Sequence, residues 1–394
     1  MKDKNSRPKF LIYVLGARFF KQSLRSWEKS AGFTLIELLV VVAIVVIVSV
    51  AGFINVTNYR NKQILVNSAN QVAAVLHDVQ NRSVSQQSGL RWGIRLTNAT
   101  SSSADTYQTF SGTSYATSSV DRTFYLSNGT QFGEPGNGFS VDEIFSPITG
   151  QLGVNKIISL VTGKEDGLVG DIILRSQGTI TTRQENGLIG YWHLDEGVAT
   201  TTYDASGMGN FGSASGTVWI SGSNCKAGSC LSFNTPSFQR VLISTSTSLS
   251  SRATLTLSAW VYPTGNGGSD TMSTIIQGLS SPAYYLSFND SVNALSCYWY
   301  GTTPAGYHTT SNNSVPLNQW SHLVCVWDGS NINQYINGLL ASTTSVTGVG
   351  ISPTLVVIGA ETTARQFQGT IDEVRIYNRA LTSTEILNLY NDLK

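Results

Sequence analysis

A single acidic residue, Glu37, lies within an otherwise uncharged and strongly apolar stretch, residues 33–54. The stretch exceeds the roughly 20 residues that a helix needs to cross a bilayer, and it predicts a transmembrane helix. An ionised carboxylate near the bilayer centre costs about 2.5–3.5 kcal/mol, so a cationic partner for Glu37 is expected. Basic residues precede the stretch, which predicts that the chain after it lies outside the cytoplasm.

The sequence around this acid, SAGFTLIELL at residues 30–39, resembles the cleavage and methylation motif of type IV prepilins and pseudopilins. The resemblance implies that 1–32 is a basic leader and that a prepilin peptidase cuts between Gly32 and Phe33. It also implies N-methylation of Phe33 and an assembly role for Glu37, which would pair with the new amine of a neighbouring subunit. The alternatives are an uncleaved signal anchor and an ordinary secretory signal peptide.

Residues 188–394 consist of short runs of alternating apolar and polar residues separated by turns, a pattern typical of a β-sandwich. Three consecutive runs, 323–327, 332–336 and 339–343, predict a meander, and Asn337–Gly338 predicts a type I′ turn between the last two. Several of these runs resemble, in family order, the laminin-G-like, concanavalin A-like jelly roll, and they read GYWHLDEG, DASGMGN, LTLSAWVYP, QWSHLVCVWDG, QYINGLL and GTIDEVRIYNRAL. The resemblance implies two antiparallel sheets. It also implies a domain that binds glycans or extracellular proteins more often than it catalyses reactions.

The DASGMGN segment, residues 204–210, brings side-chain and backbone oxygens together in one short loop. Calcium prefers six to eight oxygen ligands, so Asp204 and Asn210 predict a structural calcium site. The resemblance adds Asp372 as a further donor. The alternative is that the loop is only a tight turn, for which Asp, Gly and Asn are the common residues. We expect no organic cofactor.

Aromatic residues are dense in the middle of this domain, and the face of a sugar ring packs well on an aromatic ring. We therefore expect Tyr298, Tyr300 and Tyr307 to form a glycan platform. The alternative is that these rings fill the core of the sandwich. Strand alternation places Tyr298 and Tyr300 on the face opposite Cys297 and Trp299, so only one of these two sets can face the core.

All four cysteines lie in the C-terminal half, and none has the CxxC spacing of zinc or redox sites. An even number in an exported, β-rich domain predicts disulfides. Three pairings are possible. We favour Cys225 with Cys230 and Cys297 with Cys325.

No catalytic constellation is visible in the sequence. A glycoside hydrolase needs two carboxyl groups facing each other about 5–10 Å apart. The pairs Asp195–Glu196 and Asp372–Glu373 are adjacent in sequence, and neighbouring strand residues point to opposite faces. We therefore assign these pairs to cation binding or sheet-edge salt bridges. Serine-hydrolase and zinc-hydrolase motifs are also missing, and we expect that the protein is not an enzyme.

Between the membrane segment and the sandwich, the pattern predicts a pilin-like α+β head at residues 55–180. Apolar residues recur at helical spacing over 55–87, and Gly89 supplies a stop. The helix needs a sheet to cover its apolar stripe, and the predicted strands are 92–97, 106–110, 123–126, 156–161 and 171–175. The polar segment 181–187 is predicted to be a linker between the head and the jelly-roll sandwich.

The content of charged residues and the net charge bear on the fold class and on the kind of ligand. The chain has 394 residues with 12% charged side chains and a formal net charge of +1. Low charge favours strands over exposed helices, and the absence of a net basic field excludes direct binding of nucleic acid as a leading hypothesis.

The leading hypothesis is a non-enzymatic, membrane-anchored minor pilin-like subunit that displays a glycan- or protein-binding domain at the cell surface or in a pilus-like filament. Its expected partners are a prepilin peptidase, other pilin or pseudopilin subunits, the membrane, and an extracellular glycan or protein. One alternative is a pseudopilin of a type II secretion or DNA-uptake machine. The other is a polysaccharide-active enzyme that uses Glu196 or Glu373.

Overall fold

The computed structural model describes residues 34–394 except for short internal gaps, and only the backbone of residues 50–58. The gaps are 101–102, 163–166, 199, 235–237, 245, 250–252, 266, 280–282 and 349–354. Gly32 and Phe33 lie outside the described residues, as does the predicted leader 1–32. The chain divides into Met1–Asn58 and one compact unit, Tyr59–Lys394, which contains both the head and the sandwich.

Helix α1 spans Leu35–Val84. Its first turns expose apolar residues, among them Leu35, which is 81% exposed, and Ile36, which is 70% exposed. Within the part of the chain that is described, no helix combines the length and hydropathy needed to cross a membrane. The predicted span 33–54 extends into side chains outside that description, and it stays a prediction.

The second part of α1 carries the apolar stripe that the sequence predicts. Leu65, Val72, Leu76 and Val79 are fully buried there. They pack in one core with residues from the strands of the head. The helix ends at Val84, slightly before the predicted end.

The head contains two four-stranded antiparallel sheets, with strand orders β3-β2-β1-β5 and β4-β6-β7-β8. Their strands are β1 (Trp92–Thr97), β2 (Thr106–Ser111), β3 (Val120–Tyr125), β4 (Gln131–Glu134), β5 (Ser140–Ile144), β6 (Lys156–Val161), β7 (Val169–Leu174) and β8 (Ile180–Glu185). The five predicted strands are present, whereas β4, β5 and β8 were not predicted.

The predicted linker 181–187 is wrong for most of its length, because residues up to Glu185 belong to β8. This strand pairs with β7 along its whole length. It lies at the edge of its sheet, and the middle of the strand is largely exposed. An exposed edge strand carries polar residues on both faces, which is why its sequence resembles a linker.

The sandwich follows directly with two sheets and a final helix. Its elements are β9 (Leu188–Trp192), β10 (Thr201–Thr202), β11 (Gly212–Ser215), β12 (Val218–Ser221), β13 (Ser229–Phe233), β14 (Arg240–Ile243), β15 (Leu255–Pro263), β16 (Met272–Leu279), β17 (Tyr284–Asn289), β18 (Ala294–Trp299), β19 (His308–Thr309), β20 (Ser321–Trp327), β21 (Asn331–Ile336), β22 (Leu339–Ser345), β23 (Leu355–Ile358), β24 (Gly369–Tyr377) and α2 (Ser383–Leu393).

The two sheets enclose one apolar core. The distal sheet has the order β10-β11-β14-β23-β16-β17-β18-β19, and the head-side sheet has the order β12-β13-β24-β15-β20-β21-β22 with β9 against β24. The predicted meander β20-β21-β22 is confirmed. Asn337 and Gly338 both have positive φ, of 52° and 79°, as the predicted type I′ turn requires.

The head-side sheet is covered on its outer face by the head and by α2. Val161 and Val169 of the head share a buried cluster with Val326 and Tyr377 of this sheet and with Leu389 of α2. We call this head–sandwich interface the seam. It explains why the head and the sandwich form one compact unit rather than two domains on a linker.

Candidate functional site

Glu37 lies in the first turn of α1 and is hydrogen-bonded to Thr34. Its Oε2 accepts the Thr34 N–H at 2.9 Å and the Thr34 hydroxyl at 2.8 Å. The Glu37 N–H donates to Thr34 Oγ1 at 3.3 Å, which completes a capping box. The acid therefore lies at the positive end of the helix dipole.

Three half-buried tyrosines form a cluster on the outer face of the distal sheet. The ring centroids of Tyr285 and Tyr298 are 5.3 Å apart, those of Tyr285 and Tyr307 are 5.7 Å apart, and those of Tyr298 and Tyr307 are 5.1 Å apart. Cys297 and Trp299, which flank Tyr298 in β18, belong to the core. Alternation therefore directs the Tyr298 ring away from the core, as the predicted platform requires.

Polar groups surround this tyrosine cluster. Arg365 donates from Nη1 to the Tyr307 hydroxyl at 2.8 Å and from Nε to Asp270 Oδ2 at 2.8 Å. Its guanidinium lies 5.9 Å from the Tyr285 ring centroid and 5.8 Å from that of Tyr307. Burial raises the pKa of Tyr285 and of Tyr307, so both hydroxyls remain protonated at neutral pH. Aromatic faces with adjacent donors and acceptors suit a neutral sugar.

Tyr300 and Tyr285 differ from the prediction. Tyr300 lies just after β18 and is 48% exposed, and none of the ring pairs among the described residues joins it to the tyrosine cluster. Tyr285 occupies the place in the cluster that the sequence analysis assigned to Tyr300. Tyr285 lies opposite Tyr298 in the pairing of β17 with β18. This pairing would have identified Tyr285 as a member of the cluster, but it depends on a strand register that the sequence does not give.

The loop predicted to bind calcium is organised around Asp204. Its Oδ1 accepts the N–H groups of Tyr191 and Ser206, each at 2.9 Å, and its Oδ2 accepts the Asn210 N–H at 2.8 Å. Burial raises the pKa of Asp204, which reflects the cost of keeping this carboxylate charged. Gly207 and Gly209 have positive φ, of 81° and 73°, as a tight turn requires.

The remaining two predicted calcium ligands have other partners. Asn210 Nδ2 donates to the Ile189 carbonyl at 2.6 Å, and Asn210 Oδ1 accepts the Ser248 hydroxyl at 3.2 Å. Asp372 Oδ2 accepts the N–H groups of Lys226 and Ala227 at 2.8 and 3.1 Å. No hydrogen bond among the described residues joins Asp372 to the Asp204 loop. This donor set fits a tight turn better than a cation site, and calcium binding stays a prediction.

A cavity of about 380 Å³ opens beside the Asp204 loop. Tyr203 and Phe211 of the sandwich and Asp105 and Gln131 of the head contribute to its lining. Its volume is at the lower end of the range of about 300–1,000 Å³ for ligand pockets. The walls of this second candidate surface come from two distant parts of the chain, so no local sequence pattern indicates it.

Both favoured disulfides are confirmed. Cys225 is bonded to Cys230, and Cys297 is bonded to Cys325. The second bond links β18 of the distal sheet to β20 of the head-side sheet through the core. It therefore holds the sheet that carries Tyr298 against the rest of the sandwich.

The seam contains a buried polar network that the sequence analysis missed. Ser159 of β6 donates to Asp171 Oδ1 at 2.6 Å and lies 2.9 Å from His193 Nε2. The other ring nitrogen of His193, Nδ1, lies 2.9 Å from Glu373 Oε1. Glu373 Oε2 also accepts the Tyr191 hydroxyl at 2.6 Å and Arg375 Nη2 at 2.7 Å.

The charges in this network stabilise one another. Burial disfavours the His193 imidazolium, but Glu373, together with Glu134 and Asp195, outweighs burial and raises the pKa of His193 to about 8. Burial likewise opposes ionisation of Glu373, but His193 and Arg375 outweigh it and lower the pKa of Glu373 to about 2. At neutral pH the pair is therefore largely an ion pair.

The order Ser159–His193–Glu373 matches the hydrogen-bond order of a serine-hydrolase triad. However, Ser159 and Glu373 have no solvent exposure and His193 has 2%. The Ser159 hydroxyl proton is donated to Asp171, and no substrate carbonyl can reach its oxygen in this arrangement. The network thus joins the head to the sandwich, and the prediction that the protein is not an enzyme stays a prediction.

The prediction that Asp372 and Glu373 point to opposite faces is wrong. The pairing of β15 with β24 shifts register between Ser258 and Trp260, and Glu373 has a positive φ of 53°. This irregularity inserts an extra residue, so Asp372 and Glu373 both point away from the core. Their partners, and those of Asp195, lie within the buried seam rather than at a sheet edge.

Two family models match parts of the chain. The concanavalin A-like lectin/glucanases superfamily matches residues 236–387, and the prokaryotic N-terminal methylation motif matches residues 27–53. No curated protein matches the chain significantly.

Solved structures resemble the sandwich at low identity. The binding domain of Paraclostridial Mosquitocidal Protein 1 has a TM-score of 0.43 and 17% identity, with 52% of each chain covered. Domain 4 of AbnA, an extracellular arabinanase from Geobacillus stearothermophilus solved with arabinotriose, has a TM-score of 0.41 and 21% identity, with 52% of this chain and 98% of that chain covered. The botulinum neurotoxin serotype G binding domain has a TM-score of 0.37 and 18% identity, with 52% of this chain and 50% of that chain covered.

The match therefore spans about half the length of the first of these structures. The two-sheet core agrees with the first family match, and the position of Glu37 in the first turn of α1 agrees with the second. The chain carries a prokaryotic N-terminal methylation motif at its start and a concanavalin A-like domain of the laminin-G type in its C-terminal half.

Proposed function

We propose that the protein is a minor pilin-like subunit that displays its concanavalin A-like domain outside the cell and binds glycans with the tyrosine cluster. The observation that carries this proposal is the presence of a methylation motif and a lectin-type domain in one chain. The seam supports it, because a sandwich joined firmly to a pilin-like head is held in a fixed orientation on whatever carries that head.

Processing and assembly follow from the N-terminal motif. A prepilin peptidase cuts between Gly32 and Phe33, and the Phe33 amine is methylated. The Glu37 carboxylate then pairs with the Phe33 ammonium of an adjacent subunit, which neutralises both charges in an apolar helix bundle. The exposed apolar side chains at the start of α1 support this, because they need lipid or other helices to cover them.

Ligand binding is assigned to the tyrosine cluster. Its rings face away from the core, and its polar neighbours Arg365 and Asp270 are part-exposed. Glu361 lies 3.7 Å from Arg365, so one cation faces two carboxylates. A neutral glycan therefore fits this surface better than an acidic one. The domain acts by binding and does not catalyse a reaction. Any calcium bound at the Asp204 loop would have a structural role.

Two experiments test the proposal. Mass spectrometry of the mature protein should find N-methyl-phenylalanine at position 33, and an unmodified N-terminus elsewhere would contradict processing. A glycan array probed with the full chain, with and without chelator, should show binding to neutral glycans. Absence of glycan binding together with co-purification of secretion components would instead favour the pseudopilin alternative.

The assembly step has its own variant. Glu37→Ala should insert into the membrane as the wild type does but fail to enter filaments or pilin complexes. Asp78→Asn, a change at a solvent-facing acid further along α1, is the matched control and should assemble normally. Normal assembly of the Glu37→Ala variant would exclude the proposed pairing.

A further inference from the structure

The seam brings a lysine of the head into direct contact with an aspartate of the sandwich. Lys156 begins β6, and Asp195 follows β9. Lys156 Nζ lies 2.8 Å from Asp195 Oδ2. The exposed fractions of the two side chains are 9% and 0%. This contact belongs neither to the methylation motif nor to the tyrosine cluster.

The Asp195 carboxylate is held from its other side by a turn of the sandwich. Its Oδ1 accepts the Ser229 N–H. The preceding residue, Gly228, makes room for the carboxylate, because a Cβ at this position would come within 2.1 Å of Asp195 Oδ1. One oxygen of Asp195 therefore faces a backbone donor, and the other faces the lysine amine.

Two further buried carboxyl groups act on Lys156. Glu134 and Glu143 are 7% and 9% exposed, and both interact electrostatically with Lys156. Burial raises the pKa of each to about 7, so both are protonated in a large fraction of molecules near neutral pH. Lys156 thus has a carboxylate partner in direct contact and two electrostatic neighbours that can carry protons near neutral pH.

We propose that Lys156 and Asp195 condense to form an intramolecular isopeptide bond that links the head covalently to the sandwich. The geometry suits this reaction, because the amine already contacts one carboxylate oxygen and the Ser229 N–H holds the other. Well-oriented intramolecular reactions reach effective molarities on the order of 10⁵–10⁸ M. The product also replaces a buried ion pair, whose desolvation is costly, with a neutral amide.

The reaction balances without any other reagent. The Lys156 ammonium passes one proton to Asp195 Oδ2, and the neutral Nζ attacks Cγ. The Ser229 N–H stabilises the negative charge that develops on Oδ1. Nζ then loses a second proton, the bond from Cγ to Oδ2 breaks, and Oδ2 leaves as water. Glu134 or Glu143 relays protons between Nζ and Oδ2 and ends in the state in which it began.

The test is peptide mapping of the full chain purified from membranes, after reduction, denaturation and digestion with trypsin. Without the bond, trypsin releases the linear peptides 123–156 and 184–226. With the bond, Lys156 is not cleaved, and peptide 123–164 stays attached to 184–226. The joined species has the summed mass of the two peptides less one water. Detection of only the linear peptides would overturn the proposal.

Matched variants separate the bond from the salt bridge. Lys156→Arg keeps the positive charge but cannot form this amide, so it should give only linear peptides. Because either acid can relay the protons, the double variant Glu134→Gln, Glu143→Gln should lower the joined fraction while it leaves Lys156 and Asp195 in place. An unchanged joined fraction in this double variant would overturn the role given to the two acids.

Discussion

His193 Nδ1 lies 2.9 Å from Glu373 Oε1, and the side chains of the two residues are 1% and 0% exposed. Their contact lies within the sandwich, while the other ring nitrogen of His193 meets Ser159 of the head. The imidazole thus bridges the two parts of the compact unit. The charge state of His193 therefore affects a contact between the head and the sandwich.

Removing the negative charge of this pair should destabilise the protein. Glu373→Gln leaves His193 without its closest buried counter-charge and leaves Arg375 with Glu185 at 3.7 Å, and breaking such a pair costs about 3–5 kcal/mol. The free energy of unfolding, measured by urea titration of the full chain with tryptophan fluorescence, should fall by that amount. Glu361→Gln is the control, because its contact with Arg365 is part-exposed and worth less than about 1 kcal/mol. Equal effects of the two changes would contradict the role of the seam.

Stability should decrease as the pH rises above neutral. The pKa of His193 is raised from 6.5 to about 8, so its stabilising contribution is complete below pH 6.5 and is lost as the pH passes 8. Burial, reinforced by Glu134, raises the pKa of Glu196 from 4.5 to about 8, which acts in the same direction. Urea titrations between about pH 6 and pH 9 should show a falling free energy of unfolding. His193→Asn should make this slope shallower and leave the part that Glu196 contributes, and a wild-type slope that is flat or rising would contradict the assignment.

Tyr298→Ala should weaken glycan binding, because it removes the ring that contacts both other members of the tyrosine cluster. We expect a loss of about tenfold in affinity, the size of one aromatic contact. Tyr125→Ala, at an exposed tyrosine on β3 of the head, is the matched control. If Phe211→Ala abolished binding while Tyr298→Ala had no effect, the site would be the cavity beside the Asp204 loop.

The two disulfides should differ in their contribution to stability. Cys297 and Cys325 are separated by 28 residues, and Cys225 and Cys230 by 5. Loop-closure entropy predicts about 3.5 kcal/mol for the longer loop and about 2 kcal/mol for the shorter. Urea titration of the two double-alanine variants should therefore rank the Cys297 and Cys325 variant as the less stable. The opposite ranking would show that strain or packing outweighs chain entropy.

The sequence predicts those parts of the fold that depend on local patterns. The β20-β21-β22 meander follows from alternating residues and from the Asn337–Gly338 turn, and the outward direction of Tyr298 follows from its position next to Cys297. Helix α2 had a readable signal that was missed, since Thr382 and Glu385 form a capping box.

The seam could not be predicted in this way, because its contacts join distant parts of the chain. Ser159 and His193 are 34 residues apart, and His193 and Glu373 are 180 residues apart. The direction of Glu373 also depends on a left-handed backbone conformation that is uncommon for residues other than glycine. Such a conformation is stabilised by the surrounding structure, so the residues next to Glu373 in the sequence do not indicate it.

Helix α2 returns the chain to the head after the sandwich is complete. Arg175 donates to the carbonyl groups of Asn391 and Asp392, each at 3.1 Å, and Arg183 forms a salt bridge with Asp392. The jelly roll is thus fastened both where the polypeptide enters it and where it leaves. A pulling force applied to the sandwich through a bound ligand would be distributed over these two connections to the head. Neither connection would therefore bear the whole force alone.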